Sequence, residues 1–170
     1  GLPARACEHL SQVYGAPLVA AKEPLAYMAG RPVVTDLMGR LAALAAELSR
    51  IANDLRVMAS GPRLGLGEIT LPDLQPGSSI MPGKVNPVVC ESLVQIHLAV
   101  TGQHATVLAA AAQGQFELNV TFPITAEALL GAIALLAQGA EILRTRAIEG
   151  LTLNEEALAR DMDRSLALAT

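Results

Sequence analysis

Met38, Leu41, Leu44, Leu48, Ile51, Leu55 and Met58 follow one another at steps of three and four. That spacing draws an apolar seam down one side of a helix, the pattern of rods packed in a bundle. Residues from about 35 to 60 therefore read as one helix, roughly 38 Å long at 1.5 Å per residue. The pattern recurs twice. Val89, Leu93, Ile96, Val100, Gln103 and Val107 give a second seam, with one polar member, between 87 and about 112. Leu129, Ile133, Leu136, Ala140 and Leu143 give a third, between about 123 and 147. The chain is 52% hydrophobic but only 2% aromatic, without Trp. Its apolar volume is chiefly Ala and Leu, which favour helix and let rods approach closely. The predicted fold class is all-α, a bundle of long helices.

Shorter elements fit around these rods. Residues 3–14 read as a helix ended by Gly15 and Pro17. Residues 18–33 read as irregular, because Pro24, Gly30 and Pro32 interrupt them. Asn154 followed by Glu155 and Glu156 places a cap and two carboxylates at the positive end of a last helix. Three rods leave much Ala/Leu surface open, so self-association or further chain is expected. Gly1 stands where an initiator Met would, and the chain stops at Thr170 inside the apolar pattern Leu166, Ala167, Leu168, Ala169. Both ends read as cut.

The net charge of −4 and a pI of about 5.3 offer no basic stripe for a nucleic acid, and none is expected as a partner. Arg, Glu, Gln or Gly interrupts every apolar run short of the roughly 20 residues that cross a bilayer, so no membrane partner is expected. Arg5, Glu8 and His9 stand where a leading signal peptide would be apolar. Two cysteines, Cys7 and Cys90, make no disulfide framework, which points to a reducing cytoplasm. Cys90 and His97 share a helical spacing but lack a third ligand or an orienting acid. No metal or cofactor is expected.

The stretch 61–86 contrasts with everything around it. Gly61, Pro62, Gly65, Gly67, Pro72, Pro76, Gly77, Pro82 and Gly83 forbid a long helix, and a loop of this length in a compact domain is more often functional than filler. Asn86-Pro87 reads as the start of the next helix, with Asn as N-cap and Pro at the first helical position. The freed amides of that helix would then lie beside Lys84, Ser78 and Ser79 as a receptor for a carboxylate or phosphate. Lys84 is one of two lysines against ten arginines, and a compact, flexible ammonium suits a point-charge role. Ser, Gly and Asn are equally ordinary loop and capping residues, so composition alone leaves the loop's role open.

Residues 77–86, Gly-Ser-Ser-Ile-Met-Pro-Gly-Lys-Val-Asn, match the signature Gly-Ser-x-x-Met-x-x-Lys-x-Asn at every defined position, and the chain here resembles the fumarase/aspartase superfamily. The likeness extends through Ile51-Ala52-Asn53-Asp54-Leu55-Arg56, Ser60-Gly61-Pro62-Arg63, Gly65-Leu66-Gly67-Glu68-Ile69 and Gln115-Phe116-Glu117-Leu118-Asn119-Val120. It covers residues 36–170 well and the first 35 loosely. The resemblance implies a central helical-bundle domain over residues 1–150, with its active-site loop at 61–86, and the start of a C-terminal helical domain over 151–170. It implies a lyase that forms fumarate by anti β-elimination. Ser78 would be the base, Lys84 and Asn86 would hold the substrate carboxylate, Ser79, Met81 and loop amides would complete the contacts, and Glu91 would support them from one turn into the helix. It also implies a homotetramer whose sites combine segments of three subunits, with a catalytic His on segments outside this sequence. On that reading the fragment alone is inactive.

A serine hydroxyl is a poor base near neutral pH. Each unit by which its pKa must fall needs about 1.4 kcal/mol of preferential alkoxide stabilisation, and a helix terminus supplies roughly 0.3–2 kcal/mol. Lys84, directed amides and exclusion of water must provide the rest. Within the family, Val88-Val89 after Pro87 and Gln115 before Phe116 resemble aspartases, whereas Glu68 and Cys90-Glu91 resemble fumarases. The expected activity is conversion of L-aspartate to fumarate and ammonia, with malate/fumarate hydration as the alternative. A non-catalytic, oligomerising helical core is the alternative of another class. Gln103-His104 stands where the family usually has Asn-Asp, and residues 20–35 depart from its uninterrupted polar helix. His97 and His104, seven residues apart, read as structural or interface residues.

Overall fold

The computed structural model describes residues 1–165; the apolar run at 166–169 lies outside them. Six helices follow in chain order: α1 (Leu2–Tyr14), α2 (Pro24–Ala29), α3 (Pro32–Met58), α4 (Val88–Ala111), α5 (Phe122–Leu143) and α6 (Glu155–Met162). A π-helical turn, Arg144–Ile148, continues α5. Two two-residue strands, β1 (Ile69–Thr70) and β2 (Thr152–Leu153), pair antiparallel. The all-α prediction holds, and α4 lies between antiparallel neighbours α3 and α5 along most of its length.

The prolines that were expected to break residues 18–33 start helices there instead. Pro24 and Pro32 open α2 and α3, where a fixed φ suits the first turn and the missing N–H has no partner to lose. Arg31 joins the two. Its Nη1 donates to the carbonyls of Tyr27, Met28 and Gly30 at 3.0, 2.9 and 2.8 Å, and its guanidinium lies 4.7 Å from the centre of the Phe122 ring.

The three rods lie where the seams put them, but two seams are rotated. On α3 the buried positions are Met38, Ala45, Ser49, Ala52 and Leu55, while Leu44 and Ile51 are exposed. On α5 they are Thr125, Ala128, Ala132, Leu136, Gly139 and Leu143, not Ile133 or Ala140. Small residues take the inner stripe because they let the backbones close up. A Cβ added to Gly139 would come within 2.7 Å of Ile96 Cδ1. The α4 seam keeps its predicted face, with Val89, Leu93, Val100 and Val107 buried.

The core falls into two clusters. One, near the loop, joins Ala52, Leu55, Ile69, Val89, Cys90, Leu93, Leu143 and Ala147; the other, at the far end, centres on Met38, Val100, Val107 and Ala132. Phe122–Ile148 is long and apolar enough to cross a membrane by length and composition, contrary to the reading of interrupted runs. Its Gly and Gln residues are too weakly polar to break the stretch. In this fold its inner stripe packs on α4 as part of the bundle.

The predicted cap on α6 is present. Asn154 Oδ1 accepts the Ala157 amide at 3.2 Å, and the same side chain donates to Gly67 O at 2.9 Å. The Asn154 amide donates to Glu68 O at 2.8 Å. This one residue thus starts the last helix and pins the segment that follows α3.

Candidate active site

The loop at 77–86 is closed at its neck by backbone bonds. Pro76 and Val85 form an antiparallel bridge, and the Gly77 amide donates to Lys84 O at 2.6 Å. At the tip, Met81-Pro82-Gly83-Lys84 makes a β-turn with the Lys84 amide donating to Met81 O at 3.2 Å. Gly83 has φ +80, the conformation that a type II turn needs at its third residue, after the proline. Gly77 is required for a different reason. A Cβ there would sit 2.9 Å from Lys84 O and 3.1 Å from Asn86 Oδ1, so only glycine lets the two sides of the neck meet.

Ser78 stands just past this neck, half-buried. Its Oγ accepts the amides of Ile80 at 3.2 Å and Met81 at 3.4 Å, a turn that points two N–H dipoles at one hydroxyl oxygen. Such donors favour the negatively charged form of the group they face. Ser79, Met81 and Lys84 are exposed on the same loop, and Asn86 and Glu91 are half-buried.

The start of α4 differs from its prediction. Asn86 does not cap it; the N-cap position is Pro87, with no side-chain bond. Pro87, at φ −76 and ψ 64, forms an inverse γ-turn in which the Val88 amide donates to Asn86 O at 2.8 Å. The Asn86 side chain is thereby released from capping and stands beside Gly77. The Val88 and Glu91 amides donate to Asn86 O and Pro87 O at 2.8 and 3.1 Å, so the helix start is not a fully open set of donors. On the loop itself, the Ile80 and Met81 amides converge on one hydroxyl, Ser78 Oγ. Glu91, in the first turn of α4, is favourably placed at its positive end.

Lys84 and Asn86 line an open groove of about 1150 Å³ between the end of α3, the segment 59–73, the loop neck and Asn154. Ser78, Ser79, Met81 and Glu91 do not line it. Asn53 and Arg56 do, and no site role was assigned to them from sequence. The signal available was their i, i+3 spacing within the matched block, beside the buried Ala52 and Leu55. Arg56 Nη1 donates to Asn53 Oδ1 at 3.1 Å. Beneath the groove, burial holds the Cys90 thiol above its usual pKa, against the opposing pull of the Arg56 charge. No group of three or more metal-binding side chains occurs among the described residues.

The other matched block has a structural part. Asn119 is buried, and its Nδ2 donates to Ala29 O at 3.1 Å and Ala110 O at 3.2 Å. Gln115 closes a tight turn with Leu118 through backbone bonds of 2.8 and 3.1 Å. His104 lies beside Gly39 on α3, and Gln103 is wedged against Gly131 with a buried Oε1 that has no partner among the described residues.

A helical bundle carrying this loop defines a class, and the comparisons agree with it. A lyase family model matches residues 2–102, and the chain belongs to the fumarase/aspartase superfamily of lyases. The chain is 48% identical over 142 residues to a class II fumarate hydratase of Corynebacterium efficiens, covering 84% of this chain and 30% of that protein. It is 45% identical over 161 residues to a class II fumarate hydratase of Chromobacterium violaceum, covering 95% and 35%. The crystal structure of a class II fumarase from Schistosoma mansoni superposes with a TM-score of 0.93 at 36% identity, over 98% of this chain and 38% of that one. The chain thus spans about a third of the length of the curated relatives it matches.

Proposed function

We propose that this chain is part of a fumarate hydratase that interconverts malate and fumarate, with Ser78 as the base. The observation that carries the chemistry is the Ser78 hydroxyl facing two amides on a loop whose neck also presents Lys84 and Asn86. Relatives named as fumarate hydratases over most of the chain support the substrate. They favour hydration over the aspartate ammonia-lyase expected from sequence. The residues behind that expectation serve local structure. Val89 is core, and the Gln115 backbone closes a turn with Leu118.

In this reading Ser78 Oγ takes the proton from the carbon beside one malate carboxylate. Charge spreads into that carboxylate, giving a dianionic aci-form. Lys84, Asn86 and the loop amides stabilise it, while Ser79 and Met81 shape the contact and Glu91 supports it from α4. The hydroxyl on the adjacent carbon leaves as water, protonated by a group on segments other than these residues. Residues 1–150 form the central domain, residues 151–170 begin the C-terminal one, and the working unit is a cytoplasmic homotetramer without a metal or cofactor.

The base assignment is tested by Ser78→Ala in the full-length protein that carries this chain. Turnover is expected to fall by about 10²–10⁴-fold while fumarate binding stays within a few-fold. Turnover close to that of the unaltered enzyme would remove Ser78 from the mechanism.

A further inference from the structure

The groove has two kinds of wall. One is the loop neck, with Lys84 and Asn86; the other is the rigid end of α3, with Asn53 and Arg56. The α3 wall is fixed because Ala52 and Leu55, next to these residues, are buried in the core cluster. Arg56 uses one guanidinium nitrogen on Asn53 Oδ1. That bond engages one lone pair of Asn53 Oδ1 and leaves unengaged its amide N–H groups and the remaining guanidinium N–H groups. All of these are donors.

Charge agrees with this. Arg40 and Arg50, on the same helix, are each paired with carboxylates at 3.0–3.1 Å. Arg50 also takes Asp54, the acid nearest Arg56 in sequence. Among the described residues Arg56 has no carboxylate at ion-pair distance, and its hydrogen bond is the neutral one to Asn53. The groove lining holds two cations, Arg56 and Lys84, against one carboxylate, Asp73. A half-buried guanidinium with a planar donor face and no acid partner matches a carboxylate.

We propose that Arg56, oriented by Asn53, is a second substrate-binding residue: a fixed anchor for a carboxylate of the dicarboxylate in this groove, distinct from the contacts made by the catalytic loop. The inference rests on the fumarate hydratase reading for its ligand. Because Arg56 sits on the helix and Lys84 on the loop, a dicarboxylate held by Arg56 is retained whatever position the loop takes.

The test is fumarate binding by calorimetry in the full-length protein, with inorganic phosphate as a second probe. Arg56→Gln is expected to weaken fumarate binding by about tenfold or more, the loss of a charge-assisted hydrogen bond. Arg56→Lys should weaken it less, and Arg50→Gln, on the same helix but outside the groove lining, should leave it unchanged. Should Arg56→Gln fail to fold, Asn53→Ala takes its place, with an expected several-fold loss. Fumarate affinity within twofold of the parent in the groove variant would overturn the proposal. An equal loss in Arg50→Gln, or tighter binding of phosphate than of fumarate, would also overturn it. Malate turnover with no effect of Arg56 on binding removes this inference alone; Arg56-dependent fumarate binding without malate turnover removes the hydratase reading alone.

Discussion

Ser78 owes its setting to the residues on either side of it. Gly77 lets the chain pass against Lys84 O and Asn86, and the turn that follows aims two amides at the Ser78 hydroxyl. Gly77→Ala would drive a Cβ to 2.9 Å from a backbone carbonyl, which cannot swing away as a side chain can. We expect turnover in the full-length protein to fall by about a hundredfold, the cost of misplacing reacting groups by roughly 1 Å. Thermal stability should stay close to the parent's, since the neck lies outside both core clusters. Paired assays of turnover and melting temperature check this, and a normal rate would show that the neck does not position the base. The identity of Ser78, Lys84 and Asn86 as loop residues was legible in the motif. Their local geometry was not. Asn86-Pro87 fits an N-cap pair by propensity, yet the Val88 amide is taken by Asn86 O, and that choice depends on the strand-like bridge across the neck.

Among the helices, periodicity located each rod but not the angle at which it faces its neighbours. The large side chains Leu44, Ile51 and Ile133 lie off the inner stripe, and Ala45, Ala52, Ala132 and Gly139 lie on it. A pattern read by hydrophobicity picks the larger residues, whereas close packing of two backbones selects the smaller ones. The short helix α2 was missed for a related reason: proline marks a helix start as readily as a break. Gly139→Val tests the packing directly. Its added volume meets Ile96 Cδ1 within 2.7 Å at the Cβ alone, and overpacking of this kind costs about 1–3 kcal/mol. Chemical denaturation should show that loss with an unchanged slope. A variant as stable as the parent would place Ile96 elsewhere.

Across the whole molecule, large apolar side chains stay in solvent on several outer faces. Leu98 and Leu130 are 66% and 65% exposed, and Phe116, at the turn between α4 and α5, is 94% exposed. These faces and a groove open to solvent belong to a chain that spans about a third of its relatives, and we propose that other segments and copies supply the remainder of the surface and site. We expect the full-length protein to sediment as a tetramer at micromolar concentration. A well-folded monomer would contradict the assembly. The exposed apolar faces were legible in the sequence, since three Ala/Leu rods cannot bury their own surface. The substrate was not, because Val88-Val89 and Gln115 point to one branch of the family and Glu68 and Cys90-Glu91 to the other. The most direct measurement is therefore a side-by-side assay of the full-length protein on L-malate and L-aspartate, following fumarate by its ultraviolet absorbance. We expect fumarate from malate and none from aspartate; fumarate from aspartate alone, or from neither, would contradict the hydratase assignment.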